Sequence, residues 1–173
     1  MPALPALITE AEFLALPESM DRVELLDGEV IVPPSPSPGH QGAVKNLVID
    51  LGAWARRHGA TVHVSPLDVR FGPGRILQPD VMVFLGGLAP DAAAPLTTIP
   101  DLCVEVLSVR RSYDRIVKRE VYAEAGVREY WVVDPVQRCV EVYRGHSLFG
   151  VATETLESDL LPGFSVEVAT LFA

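Results

Sequence analysis

Three carboxylates occur where strand-like runs should be apolar. Asp80 opens the core of LQPDVMVF, Glu105 sits among valines in PDLCVEVLS, and Glu24 lies between Val23 and Leu25 in RVELLDG. A lone carboxylate in a low-dielectric interior is costly unless it is paired, protonated or held on a cation. Two kinds of chemistry relieve that cost. In one, each acid pairs with an arginine or caps a helix and is purely structural. In the other, the acids share one divalent cation whose charge cancels their repulsion. Three inward acids from separate elements favour the shared cation, and an all-oxygen donor set suits Mg²⁺ or Mn²⁺ rather than zinc.

The elements that must carry these acids can be read from patterning. Thr9-x-x-Glu12 is a capping box ahead of an apolar run, so a first helix starts at Thr9 and ends near Pro17. RVELLDGEVIV reads as a hairpin turning at Asp27-Gly28. PPSPSPGH, residues 33–40, reads as a rigid loop rather than a linker. After it, Val44, Leu47, Val48, Leu51 and Ala55 recur at helical spacing up to Gly59. TVHVSPLDVRF is a strand interrupted by Pro66, and RILQPDVMVFL a strand bent at Pro79. Residues 86–100 form an irregular loop ahead of strand PDLCVEVLS. A helix follows from about Ser112 to Ala125, closed by Gly126. EYWVVDP and CVEVYR then pair around Asp134-Pro135, and a Pro162-Gly163 turn precedes a short terminal strand or helix. The order implies one mixed α/β domain over residues 1–173, with a mixed sheet flanked by helices. The strands from Val81 and Leu102, apolar nearly throughout, belong at its centre.

Composition narrows the function. The chain is 49% hydrophobic and 21% charged, as expected of one globular domain. No apolar run is long enough to span a membrane, and the N-terminus lacks the basic start of a secretory signal. Cys103 and Cys139 stand singly, without metal-ligand spacing, and are expected as buried free thiols in a reducing cytoplasm. A net charge of −9 argues against coating nucleic acid by charge alone. Five of the 14 basic residues nevertheless cluster in VRRSYDRIVKRE: Arg110, Arg111, Arg115, Lys118 and Arg119. They make either a local phosphate-facing patch or a solvated helix face.

The segments ELLDGEV, SPSPGHQ, PLDVR, QPDVMVF, PDLCVEVLS, YDRIVKREVYAEAGVREYWVVDP and LPGF, in that order, resemble the Uma-type putative restriction endonuclease family of the PD-(D/E)xK nucleases. The resemblance runs from about Thr9 to Phe172. It implies a restriction-endonuclease-like fold and a phosphodiester hydrolase using Mg²⁺ or Mn²⁺. Glu24, Asp80 and Glu105 would be the metal ligands, and together with Lys118 the catalytic set. The signature lysine, two residues past the glutamate, is replaced here by Leu107, and the resemblance implies that Lys118 on the following helix would take its place. Asp114 and Lys118 share a helix face, which also allows a plain i,i+4 ion pair. Arg110, Arg111 and Arg115 would contact phosphates, with His40 and Gln41 bordering the site. The expected partner is nucleic acid, DNA in the first instance, and the expected assembly is a homodimer, for which EYWVVDP and CVEVYR offer apolar strands. The chain departs from the family pattern at LSVRRSYD, where Val109 replaces a proline and the connection to the helix is one residue shorter.

Two rival classes remain. A non-catalytic module could keep the nuclease fold and use its acidic pocket for binding or dimerisation; the acidic balance and the shortened connection favour it. A glycosidase with paired carboxylates ranks last because aromatic residues for sugar stacking are only 7% of the chain. A serine hydrolase has no support, since no G-x-S-x-G elbow occurs.

Overall fold

The computed structural model describes residues 7–17, 22–108 and 113–173. Helix α1 (Glu10–Leu14) starts as its capping box predicts. The Thr9 hydroxyl accepts from the Glu12 N–H, and the Glu12 carboxylate accepts from the Thr9 N–H. Strands β1 (Glu24–Leu26) and β2 (Glu29–Ile31) form the expected hairpin. Its turn places Asp27 at φ 49° and Gly28 at φ 92°, left-handed geometry that a glycine adopts without steric penalty. Helix α2 (Pro38–His58) has Ser37 as N-cap, proline at its first position and a left-handed Gly59 as its stop. It therefore begins inside the stretch read as a loop, and His40 and Gln41 belong to its first turn.

The next strands are β3 (Thr61–Val64), β4 (Val69–Gly72), β5 (Arg75–Leu77), β6 (Val81–Phe84) and β7 (Leu102–Val106). A π-helical turn, Tyr113–Lys118, runs into α3 (Arg119–Ala125). The chain finishes with β8 (Glu129–Asp134), β9 (Cys139–Arg144), β10 (Ser147–Ala152), β11 (Thr155–Glu157), β12 (Ser165–Glu167) and α4 (Val168–Leu171). The sequence reading named no element for β10 and β11.

A six-stranded sheet has the order β10-β9-β8-β7-β6-β3, and a four-stranded sheet the order β2-β1-β5-β4. Within the larger sheet only β7 and β8 pair in parallel, as their helical connection requires. The two proline interruptions mark where the chain changes sheets: β3 and β4 lie in different sheets, as do β5 and β6. Proline has no N–H to continue a ladder, so a run that reads as one bent strand becomes two strands with different partners.

The larger sheet is covered on both faces. Val81, Val83, Val104 and Trp131 pack against Leu47, Leu51 and Trp54 of α2. On the other face, Met82, Cys103 and Val132 meet Val121 and Tyr122 of α3 and Leu77 of the smaller sheet. Both cysteines are buried free thiols. Strands β8 and β9 are interior to the sheet, so EYWVVDP and CVEVYR offer no free edge for a second subunit. The edge on that side is β10, whose Leu148, Phe149 and Val151 are exposed. Among the described residues, no helix is long and apolar enough to cross a membrane.

Candidate functional site

Strand register brings two of the three acids together. Val81 pairs with Val104 across β6 and β7, and continuing that register sets Asp80 opposite Glu105. Paired positions share a sheet face, so both carboxylates point to the side of Met82 and Cys103. Glu105 lies one residue from the end of β7, flanked by Val104 and Val106. Glu24 arrives from β1 of the smaller sheet, and Lys118 from the end of the π-helical turn. Lys118 Nζ donates to Glu105 Oε1 at 2.8 Å and to Glu24 Oε1 at 3.1 Å. Short π-helical insertions are frequent at functional sites because they re-aim side chains. Here the turn directs Lys118 to acids 94 and 13 residues away in sequence. Among the described residues Asp114 makes no direct ion pair with Lys118, although the Lys118 charge still acts on it.

Asp80 is gripped on both oxygens. Oδ1 accepts from Arg22 Nη1 at 2.7 Å, and Oδ2 accepts from the Val106 N–H at 2.9 Å and faces His40 Nε2 at 3.0 Å. Arg22 also contacts Glu24 Oε1 at 3.2 Å, Glu105 Oε2 at 3.8 Å and the Gln78 carbonyl. Tyr122 donates its hydroxyl to Glu105 Oε1 at 2.7 Å. The Gln78 N–H donates to Glu24 Oε1 at 2.9 Å, while Glu24 Oε2 is buried without a partner among the described residues. Sequence reasoning missed Arg22, Tyr122 and Gln78. Arg22 alone carried a signal, since Arg22-x-Glu24 is the i,i+2 spacing that puts side chains on one side of an extended segment.

Glu24, Asp80, Glu105, Asp114 and Lys118 are all buried, the least so 7% exposed. Burial opposes ionisation of Asp80, but the His40 hydrogen bond and the charges of Arg22, His40 and Lys118 prevail and hold it well below the usual carboxylate range. Burial pushes Glu105 upward; Lys118 pulls against the rise, and Asp80 adds to it. Asp114 is pushed up to about 6, chiefly by burial, with Lys118 opposing and Asp80 and Glu24 reinforcing. Burial would discharge Lys118, yet Glu105 and Glu24 raise it above the usual lysine range, so it stays protonated.

These groups form the floor of a cleft of about 750 Å³. One wall is apolar, from Pro34, Val44, Val48, Ile49 and Val64, and His40, Gln41 and Lys45 of α2 also line it. Of the expected phosphate contacts, Arg115 lies elsewhere: it pairs with Asp134 at 2.9 Å and Glu141 at 2.8 Å and does not line the cleft. Arg110, Arg111 and Val109 lie outside the described residues.

The sequence profile of the Uma2 family, described as "Putative restriction endonuclease", matches residues 10–169. The chain belongs to that family. Among solved structures it is similar to a "putative nuclease belonging to DUF820" from Anabaena variabilis ATCC 29413. The TM-score is 0.80 at 24% identity, over 95% of this chain and 97% of that one. The mixed α+β fold is thereby shared with a nuclease-fold neighbour. No curated protein matches the chain. Membership of the Uma2 family supports a nuclease role.

The Uma2 reading implies a divalent cation. The donors present are carboxylate oxygens, and one of them, Glu24 Oε2, is buried and unpartnered, which fits a hard cation such as Mg²⁺. As the side chains now stand, however, no group of three or more Asp, Glu, His or Cys residues among the described ones is arranged to hold a metal ion. The Arg22 guanidinium lies among the carboxylates and contacts all three.

Proposed function

We propose that this chain is a divalent-metal-dependent endonuclease hydrolysing phosphodiester bonds of nucleic acid, DNA in the first instance. One observation carries the reading. Four carboxylates, Glu24, Asp80, Glu105 and Asp114, are buried around two permanent positive charges, Arg22 and Lys118. When all four are ionised, their charge exceeds that of Arg22 and Lys118, and a divalent ion would reduce the surplus. Glu24, Asp80 and Glu105 would hold Mg²⁺ or Mn²⁺, which when bound supplies a Lewis acid for a phosphate oxygen and an acidified water for in-line attack.

The chain's own groups have separate roles. Lys118, kept protonated, offers a preorganised positive charge to the negative charge that develops at phosphorus. His40 and the Val106 N–H orient Asp80, and Tyr122 orients Glu105. Asp114, near 6, can accept and release a proton close to neutral pH. Lys45 and Gln41 on α2 face the cleft and would contact flanking phosphates. The homodimer becomes a proposal that uses the β10 edge and its exposed Leu148, Phe149 and Val151; sedimentation of wild type against F149E checks it, with a loss of mass expected in the variant.

A non-catalytic module is the second reading, favoured by the way Arg22 and Lys118 already partner the acids. Calorimetric titration of Mn²⁺ and Mg²⁺ into wild type and D80N, followed by cleavage assays on single- and double-stranded DNA and on RNA, separates the two. The nuclease reading expects binding that disappears in D80N, and cleavage that disappears with chelator. Absence of both binding and cleavage for wild type would establish the module.

A further inference from the structure

The same cluster contains a residue whose position is unnecessary if the acids simply await a metal. The Arg22 guanidinium contacts one oxygen from each of the three acids: Asp80 Oδ1 at 2.7 Å, Glu24 Oε1 at 3.2 Å and Glu105 Oε2 at 3.8 Å. No other cation among the described residues meets all three; Lys118 reaches only Glu24 and Glu105. We propose that Arg22 is an internal counter-ion that occupies the position of the divalent cation and must withdraw before that ion can bind. The proposal rests on the metal-dependent reading above and adds a residue that sets its affinity.

Three features support it. A guanidinium is broad and planar with a fixed fork of donors, whereas Mg²⁺ or Mn²⁺ draws oxygens to about 2.0–2.2 Å in a compact shell. A guanidinium thus holds oxygens around it at a wider spacing than a metal shell does, in keeping with the absence of a metal-holding group among the described residues. Arg22 also has a way out: its side chain is 22% exposed and lines the cleft, while Lys118, at 3%, is enclosed. Finally, its hold is incomplete, since the buried Arg22 Nε has no hydrogen-bond partner among the described residues. Replacing one positive charge by two at this position also relieves the surplus of negative charge that Arg22 leaves. Without the metal, Arg22 keeps three buried acids from facing one another unscreened. With it, the freed guanidinium stays at the cleft, where a substrate phosphate is its natural acceptor.

Competition of this kind lowers apparent metal affinity by the fraction of molecules whose site is open. The test is calorimetric titration of Mn²⁺, without nucleic acid, into wild type, R22Q and R22K, with thermal melting of each protein at zero and saturating Mn²⁺. R22Q is expected to bind Mn²⁺ about tenfold or more tightly than wild type. R22K, with a narrower head group and shorter reach, should fall between them and keeps the charge should R22Q fold poorly. The melting temperature without metal should drop in R22Q, and its rise with Mn²⁺ should exceed that of wild type. Binding by wild type that is equal or stronger than that of both variants overturns the role of Arg22 alone. Failure of wild type and both variants to bind Mn²⁺ overturns the metal reading as well.

Discussion

Among the described residues, acids are buried at Glu129 and Asp134 as well as in the four-acid cluster, and only that cluster resembles a site. Glu129 opens β8 among apolar residues and is 2% exposed, as buried as Asp80 and Glu105. Every oxygen of Glu129 is spoken for. Oε1 accepts from Trp131 Nε1 and Ser158 Oγ, both at 2.7 Å, and Oε2 from Arg144 Nε at 3.2 Å. One acid faces one cation, no atom is orphaned, and the group ties the segment around Ser158 to the sheet. At the other cluster, four acids face Arg22 and Lys118, and Glu24 Oε2 has no partner among the described residues. Burial of a carboxylate is thus no sign of function by itself. A surplus of charge with an unmet lone pair is the feature that the proposed metal role would relieve.

The largest difference should come from removing a cation. In K118M, Glu24 and Glu105 lose their shared ammonium while staying buried, and stranding a buried charge costs about 3–5 kcal/mol. In the counterpart R144M, the partially exposed Arg144 leaves Glu129 with two neutral donors, and the loss should be about 1–2 kcal/mol. Urea denaturation of both variants checks this. Equal losses would mean that the two clusters are energetically alike and that charge surplus carries no information.

Activity should separate them next. D80N is expected to lower metal-dependent cleavage on the order of 100-fold or more, whereas E129Q should leave the rate per folded molecule unchanged. Cleavage assays with Mg²⁺, corrected for folded fraction, decide; an E129Q rate that falls as far as that of D80N would dissolve the distinction.

A pH dependence should also belong to one cluster. Asp114 is raised from 3.8 to about 6, so its folded form binds a proton more tightly than its unfolded form. The corresponding stability is fully present below pH 4 and is lost as pH rises through 6. D114N removes the titration and should be more stable than wild type by about 1–2 kcal/mol at pH 7.5, less than the roughly 3 kcal/mol that two pKa units convert to. Near pH 4 the two should coincide. Denaturation midpoints measured at both pH values, without metal, test the sign.

These contrasts also mark how far the sequence could be read. Glu24, Asp80, Glu105 and Lys118 were legible as a group, and the structure places them together: Lys118 bonds Glu24 and Glu105, and Arg22 links Asp80 to both. The capping box at Thr9, the Asp27-Gly28 hairpin and the Gly59 stop were legible too, because each is decided by neighbours a few residues away. What was not legible depends on distant partners. Arg22 finds Asp80 58 residues on, and Arg115 turns to Asp134 and Glu141 rather than to the cleft. Pro66 and Pro79 announce an interruption, but only the assembled sheets show that the chain crosses between them there. Acid-in-strand patterning would have flagged Glu129 as readily as Glu105; pairing distinguishes them, and pairing is tertiary.

The smallest change sharpens the comparison furthest, because it removes one neutral hydroxyl from each cluster. Tyr122 donates to Glu105 Oε1 and Ser158 donates to Glu129 Oε1, both at 2.7 Å. Y122F and S158A each leave the acceptor with another donor, Lys118 in one case and Trp131 in the other. Each should therefore cost about 1 kcal/mol, the net worth of one buried hydrogen bond. Stability alone would not tell them apart, whereas Mn²⁺ affinity should. Losing the Tyr122 hydroxyl frees Glu105 to rotate and removes a donor that competes with the cation for Oε1, so Y122F should shift the Mn²⁺ dissociation constant a few-fold, about 1 kcal/mol or less by the same measure. S158A should leave that constant where it is, because Glu129 lies outside the cleft. A shift in both would show that the two acids are coupled through β7 and β8 rather than independent; a shift in neither would remove Glu105 from the set that holds the ion.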